Sequence, residues 1–332
     1  MSLGRLLTLC VAVLVTVVSV WLVIRSGLLA EALPVLRGAS LPPLLAALVV
    51  TAMIQWLRAW RFQLLLDGRP GMPSRAMLRA ACLHLALNLY LPMRLGELSF
   101  PFLARRLAGT PLLPATGALI AARLLDLGAL LAVLVPASAW VLRERLGGWA
   151  LLAVPVPLLA IGMVWGIAHL GDRLAHHLAR YRSLAQKLAP VRAQLRAAAR
   201  RHLFGRVVLA SLGIWLCHGT IAWLAIKALG LGSSWPQGLF AGLAANAAFA
   251  LPIGGVAGVG PVQAAYAWAL HLTGIGLPEA IAAAIATQAT LLLGAALQGG
   301  LAALGSWRAP GFPFPAEASS MSGTECPADR PR

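Results

Sequence analysis

Two pairs of ionisable residues, Arg94 with Glu97 and Arg123 with Asp126, interrupt long apolar stretches of the sequence. Arg123 and Asp126 lie three apart on one predicted span and share one helix face, whereas Arg94 and Glu97 sit at the break of a short apolar segment. A charge inside a membrane costs at least ~2.5–3.5 kcal/mol, so four of them need partners. Two acids and two bases can neutralise one another and line a polar cavity that receives a phosphate. The alternative is an ion-pair network of structural role, with the two arginines extending towards a polar interface.

Two short apolar helices are each interrupted by proline and glycine soon after an asparagine, Asn88 in the first and Asn246 in the second. A helix that ends inside a membrane leaves backbone N–H and C=O groups unpaired, and these survive only against protein or a wet cavity. The N-terminus of such a helix can also hold an anion. The alternative is that the breaks only kink two ordinary helices. The break residues are Pro92 and Gly96 in the first segment and Pro252, Gly254 and Gly255 in the second.

The composition shows what kind of protein must position these residues. Apolar residues make up 60% of the 332 positions and charged residues only 11%, whereas soluble domains carry about 25% charged residues. The chain is long enough for several helices of about 20 residues each, the length that crosses a bilayer. The alternation of apolar and polar residues that a membrane β-barrel requires is missing. The sequence therefore predicts an all-α polytopic membrane protein.

The apolar runs divide into long ones and short ones. Six are long enough to cross a membrane, and the first of them exceeds the length of a signal-peptide core, so we expect it to remain uncleaved. The two interrupted segments are too short to cross and are predicted to be re-entrant helical hairpins. The predicted spans are about 6–24, 41–57, 113–135, 149–170, 207–226 and 280–303, and the hairpins consist of 80–91 with 98–104 and of 237–251 with 261–273.

Basic residues fix the orientation of these elements. Residues 171–206 contain nine basic residues and one acidic residue, a net charge of 9 − 1 = +8, so this stretch belongs in the cytoplasm. The other arginine clusters, including a predicted basic loop from Arg58 to Arg79 after the second span, fall on the same side if both termini are cytoplasmic and the two hairpins enter from opposite faces, as in an inverted repeat. Segment 171–206 is predicted to be an amphipathic helix on the inner leaflet, or else a cytoplasmic linker helix. Residues 1–308 form one membrane domain, and residues 309–332 are predicted to be a disordered tail.

The charge and the motifs exclude several functions. The net charge of +17 lies in loops between apolar runs, so it favours anionic lipid as the partner rather than nucleic acid. The four cysteines include no CxxC pair, which argues against disulfides and a zinc site. No metal, nucleotide or nucleophile motif is present. We therefore predict no cofactor, no metal site and no catalytic residue.

The combination of Asn88, Arg94 with Glu97, Arg123 with Asp126 and the glycine-rich run 251–260 resembles one membrane protein family. It is the lysylphosphatidylglycerol synthase transmembrane-region family, which is flippase-like, and the resemblance covers about residues 5–305. It implies movement of an anionic or modified lipid between the leaflets of a bacterial inner membrane. The lipid would be of phospholipid, polyprenyl-phosphate or hopanoid type. Many members carry an acidic residue shortly after the second glycine-rich run, where this chain has Gln263, so no proton- or cation-coupling group is implied there.

The resemblance also leaves alternatives to transport. Bifunctional members carry a soluble synthase domain that has no counterpart in this sequence, so we expect this chain not to make the aminoacylated lipid itself. The first alternative is a membrane-embedded transferase that acts on a lipid carrier with a carboxylate as base, and the second is a scaffold for a lipid-synthesis enzyme. The predicted head-group site comprises Asn88, Pro92, Arg94, Gly96, Glu97, Arg123, Asp126, Asn246, Pro252, Gly254, Gly255 and Gln263.

Overall fold

A computed structural model of the chain describes residues 27–66, 71–90, 96–148, 155–159, 202–249 and 260–307, together with scattered positions outside these ranges. The described residues form α-helices and connecting turns, and no strand occurs among them. Their helices are α1 (Leu28–Arg37), α2 (Leu41–Leu66), α3 (Arg75–Tyr90), α4 (Ser99–Ala108), α5 (Leu112–Val141), α6 (Arg143–Leu146), α7 (Phe204–Ala228), α8 (Trp235–Phe249), α9 (Pro261–His271) and α10 (Leu277–Trp307).

Some predicted features lie outside the described residues. These are the break residues 91–95 and 251–259, and most of the predicted spans 6–24 and 149–170. Most of the amphipathic segment 171–206 and the tail 309–332 are outside them as well.

Four of the described helices, α2, α5, α7 and α10, are long and apolar enough to cross a membrane. They contain 26, 30, 25 and 31 residues, about 37–47 Å at 1.5 Å per residue. That length exceeds the ~30 Å hydrocarbon core of a bilayer. Leucine and alanine dominate their sequences and favour the helical state. These four helices correspond to four of the six predicted spans, and the chain is an integral membrane protein by length and composition.

Helix α2 ends later than its apolar run predicts. The predicted span stops at Leu57 and places Arg58 and Arg61 in a basic loop, but the helix continues to Leu66. The placement in a loop is therefore wrong. The physical reason is that Arg61, only 2% exposed, finds its ionic partner inside the bundle at Asp126. A charge that is paired within the protein does not need to leave the membrane for water.

Helix lengths repeat along the chain. The first set, α2 to α5, has helices of 26, 16, 10 and 30 residues. The second set, α7 to α10, has helices of 25, 15, 11 and 31 residues. In both sets a long helix is followed by two short helices and then by a second long helix. The structure thus contains two four-helix units of the same plan.

The packing of the two sets is reciprocal. Helix α3 of the first set packs on α10 of the second, and α8 of the second packs on α5 of the first. Helices α2 and α7 pack against each other between the sets and run antiparallel. The backbone N–H of Ser40, just before α2, donates to the carbonyl of Ala228 at the end of α7 over 2.7 Å. Near the opposite ends, the Arg61 guanidinium donates to Ser211 Oγ over 3.1 Å.

Glycines permit the close approach of α7 and α8. A Cβ atom at Gly219 would lie 2.2 Å from Leu239 Cδ2, and one at Gly242 would lie 2.7 Å from Ala222 Cβ. Either contact is too short for a larger residue to be accommodated without movement. Small residues at helix interfaces are a common means of packing membrane helices, and here they bring α8 to the edge of the central cavity.

Candidate functional site

A cavity of about 410 Å³ lies between the two sets of helices. Residues of the four long helices line it, together with α3, α8, α9 and Glu97 in the turn before α4. Arg58 is eight residues from the end of α2 and Arg123 is eleven residues from the start of α5. At 1.5 Å per residue these are depths of about 12 and 16 Å, close to half of a ~30 Å hydrocarbon core. The cavity therefore places polar groups near the middle of the bundle.

An ion-pair network connects three elements of the first set. Arg61 Nη1 and Nη2 donate to Asp126 Oδ1 and Oδ2 over 2.5 and 3.2 Å, the two-pronged geometry that makes arginine–carboxylate pairs strong. Arg123 lies 3.7 Å from Asp126 and 3.4 Å from Glu97. Both carboxylates that line the cavity are therefore engaged by guanidinium groups.

Arg58 differs from these residues because its observed partner is neutral. Its Nη2 lies 3.3 Å from Nε2 of His218, and within the described ranges no carboxylate lies within 4 Å of it. A guanidinium only donates hydrogen bonds, so His218 Nε2 accepts and the histidine proton resides on Nδ1. Arg58 and Arg123, which line the cavity, and Arg61, which pairs with Asp126, carry three positive charges against the two of Glu97 and Asp126, so these five residues have a net charge of 3 − 2 = +1.

Several polar atoms of the lining have no hydrogen-bond partner in the described structure. They include one indole donor, Trp215 Nε1, and two amide acceptors, Gln55 Oε1 and Asn88 Oδ1, all of them buried. Gln55 is only 2% exposed. Buried polar groups are nearly always hydrogen-bonded in folded proteins, so this combination of donors and acceptors indicates a place for a polar ligand.

The cavity brings together residues that were predicted from distant parts of the chain. Six of the twelve predicted site residues line it: Asn88, Glu97, Arg123, Asp126, Asn246 and Gln263. Gly96 supports the site from behind, because a Cβ there would lie 2.2 Å from the backbone of Leu87 at the end of α3. Only glycine allows Glu97 to be carried this close to α3. The five remaining residues, Pro92, Arg94, Pro252, Gly254 and Gly255, lie outside the described residues.

Two of the second-set residues also hold their own helices. Asn246 Nδ2 donates to the carbonyl of Gly242 one turn earlier in α8 over 2.7 Å. Gln263 Oε1 accepts the N–H of Gly260 over 2.7 Å. Gly260 has φ of 113°, in the region that favours glycine, and the chain enters α9 at this point. The side chain of Gln263 therefore fixes the start of α9 at the edge of the cavity.

Sequence reasoning missed Arg58, Gln55, Trp215 and His218. Arg58 was assigned to a loop, because basic residues after an apolar run usually mark the end of a membrane span. One signal was present: Arg58 and Arg61 are spaced to share a helix face, and apolar residues 64–66 follow them. The other three carry no motif, and only the packing of α2 on α7 shows that they line the cavity.

The fold and the cavity define the class of this chain as a helical membrane protein with a central polar site. The chain belongs to a family described as the lysylphosphatidylglycerol synthase TM region, whose model matches residues 9–299. The resemblance noted in the sequence is thereby confirmed. Searches of curated proteins and of solved structures returned no significant match.

Proposed function

We propose that this protein binds the head group of an anionic or modified lipid in its central cavity and moves the lipid between leaflets. The observation that carries the proposal is the position of Arg58 and Arg123, which line a cavity formed by both sets of helices near mid-bundle. A phosphate cannot cross hydrocarbon alone because burying an unpaired charge costs far more than thermal energy. Two guanidinium groups and several amide groups in the path replace the water that the phosphate leaves.

The distribution of charge supports opposite entry of the two hairpins. Arg75 and Arg79 begin α3, and Arg105 and Arg106 end α4, which favours the cytoplasm for the open end of the first hairpin. Residues 228–278, which contain the second hairpin, hold no lysine, arginine, aspartate or glutamate. The antiparallel packing of α2 and α7 agrees with an inverted repeat. Both termini are then cytoplasmic, in the plasma membrane of a bacterium.

Alternating access follows from this arrangement. Inverted repeats place one site between two units that can tilt against each other, so that the site opens first to one face and then to the other. Here the antiparallel pair α2 and α7, together with the reciprocal contacts of α3 with α10 and of α8 with α5, forms the interface between the units. The helices of each set would move together and expose the cavity to one leaflet at a time.

The geometry favours transport over the two alternatives. A transferase needs a carboxylate that can take a proton, whereas Glu97 and Asp126 are both ion-paired to arginine. A scaffold for a lipid-synthesis enzyme does not need a cavity with guanidinium groups at mid-bundle. The carboxylates instead hold Arg61 and Arg123 in place around the cavity.

Leaflet exchange in proteoliposomes tests the proposal. Phosphatidylglycerol with a fluorescent short acyl chain is placed in both leaflets, and dithionite bleaches the label wherever it reaches the outer leaflet. The purified protein is expected to bleach the inner pool at a rate well above that of protein-free vesicles. Arg58→Gln and Arg123→Gln should each reduce the rate at least about tenfold, the effect of one charge-assisted hydrogen bond.

Arg145→Gln is the matched control, because Arg145 is exposed on α6 and does not line the cavity. It should exchange lipid at the unsubstituted rate. Equal rates for all three variants, with correct folding and insertion, would contradict the proposal.

A further inference from the structure

The two walls of the cavity have matching geometry and different chemistry. On α5 the lining residues are Arg123, Asp126, Leu127 and Leu130, and on α10 they are Ala284, Thr287, Gln288 and Leu291. Both rows have steps of three, one and three residues, so the same kind of helix face meets the cavity in each set. The α5 row carries two charges, whereas the α10 row carries a hydroxyl and an amide.

The same contrast holds for the other lining elements. The first set contributes Glu97 beside its hairpin and Arg58 on α2. At the corresponding elements of the second set stand Gln263 and His218, and His218 is neutral because it accepts from Arg58. We define the charged wall as Arg58, Glu97, Arg123 and Asp126, and the neutral wall as Trp215, His218, Asn246, Gln263, Thr287 and Gln288.

We infer that the cavity selects a phosphate ester whose remaining head group is uncharged and bears hydroxyl groups. This inference rests on the proposed function and narrows its substrate class. The phosphate is placed at Arg58, the cavity guanidinium that is not neutralised by a described carboxylate. Hydroxyl groups both donate and accept, so they match the buried acceptors Gln55 Oε1 and Asn88 Oδ1 and the buried donor Trp215 Nε1.

A head group with an ammonium ion fits this site poorly. An ammonium only donates hydrogen bonds and requires a carboxylate to offset its desolvation. Asp126 is held by Arg61 and Arg123, and Glu97 is held by Arg123. An ammonium group would therefore enter a site in which both described carboxylates are already paired with arginine. The cavity discriminates against aminoacylated phospholipids and in favour of polyol-bearing ones.

Lipid retention measured by native mass spectrometry tests this selection without requiring transport. The purified full-length protein is equilibrated with phosphatidylglycerol, phosphatidic acid or lysyl-phosphatidylglycerol. Phosphatidylglycerol is expected to be retained at least about tenfold better than lysyl-phosphatidylglycerol. The reason is that the lysyl group brings ammonium charge close to the cavity arginines. Arg58→Gln should lower retention of phosphatidylglycerol about tenfold, and Arg145→Gln should leave it unchanged.

The hydroxyl part of the inference has its own pair of variants. Trp215→Phe removes the indole donor and keeps the ring, and Trp268→Phe is its control because Trp268 is 61% exposed and outside the lining. Trp215→Phe should weaken retention of phosphatidylglycerol about threefold and leave phosphatidic acid unchanged. Equal weakening of both lipids, or retention of lysyl-phosphatidylglycerol as strong as that of phosphatidylglycerol, would overturn the inference.

Two further outcomes separate this inference from the proposed transport. Selective retention of phosphatidylglycerol without leaflet exchange in proteoliposomes would uphold the selection and reject transport. Exchange of lysyl-phosphatidylglycerol as fast as phosphatidylglycerol would uphold transport and reject the selection. Glycerol phosphate is included as a soluble phosphate ester without acyl chains. Retention much weaker than that of phosphatidylglycerol would support a lipid ligand. Equal retention would reject a lipid as the ligand and leave a soluble hydroxyl-bearing phosphate ester in its place.

Discussion

The first and second sets of helices share a plan of helix lengths and differ in what holds them together. In the first set, Arg61, Arg123, Asp126 and Glu97 connect α2, α5 and the turn before α4 through ion pairs. In the second set, glycines at the interface of α7 and α8 allow backbone contact, and no described ion pair links these helices. The same arrangement of helices is therefore held together by close packing in the second set, while the first set carries the charges that a polar ligand requires.

The largest expected effect comes from breaking the ion pair of the first set. Asp126→Asn leaves Arg61 buried without a counterion, since Arg61 is only 2% exposed. Removal of one member of a buried pair typically costs about 3–5 kcal/mol. The unfolding free energy in detergent, measured by chemical denaturation, should fall by that amount. The double variant Arg61→Met with Asp126→Leu should recover most of the loss, because both charges are then gone. If Asp126→Asn is as stable as the unsubstituted protein, the ion pair of Arg61 and Asp126 does not contribute to the free energy of unfolding.

The next effect tests the packing of the second set. Gly219→Ala places a methyl group 2.2 Å from Leu239 Cδ2, and overpacking of this kind costs about 1–3 kcal/mol. Gly205→Ala lies on the same helix with no heavy atom within 4 Å of the new Cβ, and should be neutral or stabilising because alanine favours helix. Equal melting temperatures for the two variants would refute the close-packing account of α7 and α8.

A charge added to the neutral wall should weaken anion binding. Gln263→Glu retains an oxygen that can accept the N–H of Gly260, so α9 should still begin at the same residue. The new carboxylate faces the cavity, and we expect retention of phosphatidylglycerol to fall about tenfold through like-charge repulsion. Glu97→Gln on the charged wall should strengthen it, because it removes a negative charge. Stronger retention in Gln263→Glu, weaker retention in Glu97→Gln, or no change in either variant would contradict the division into a charged and a neutral wall.

The smallest expected effect concerns a hydrogen-bonded link inside the second set. Tyr266 donates to the carbonyl of Ala222 and accepts from Thr287, both over 3.2 Å. It thereby joins α7, α9 and α10. Tyr266→Phe removes both bonds and should lower the free energy of unfolding by about 0.5–1.5 kcal/mol. Lipid retention is expected to be unchanged, and a loss of retention larger than the loss of stability would assign this hydroxyl to the ligand instead.

Sequence patterns predicted the class of fold and much of the cavity for a clear physical reason. Apolar length predicts a membrane helix, and a break inside an apolar segment predicts a wet site, so Asn88, Glu97, Arg123 and Asn246 could be proposed without a structure. Both rules depend only on residues that are close together in the sequence. The residues at which these rules place the two breaks, 91–95 and 251–259, lie outside the described residues, so the breaks remain a prediction.

The parts that escaped prediction depend on contacts between distant helices. The sequence pattern predicts that Arg58 marks the end of a membrane span. Only its position beside His218 on α7 shows that it belongs to a site. The sequence predicts only that Trp215 and Gln55 lie on membrane helices, and the structure shows that they line the cavity. The pairing of Asp126 is a further case: its sequence neighbour Arg123 is 3.7 Å away, whereas its two-pronged partner is Arg61, 65 residues earlier.

Photocrosslinking can show whether a lipid head group enters the cavity beside Arg58. Phosphatidylglycerol with a diazirine on its head-group glycerol is equilibrated with the protein, irradiated, and its attachment sites are mapped by mass spectrometry. We expect labels on the cavity face of α2 and on α7 near Trp215, and we expect Arg58→Gln to lose them. Val49, 71% exposed on the same helix and outside the cavity lining, is the internal reference for contact from surrounding lipid. Labels confined to Val49 and other exposed positions, and unaffected by Arg58→Gln, would contradict entry of the head group into the cavity.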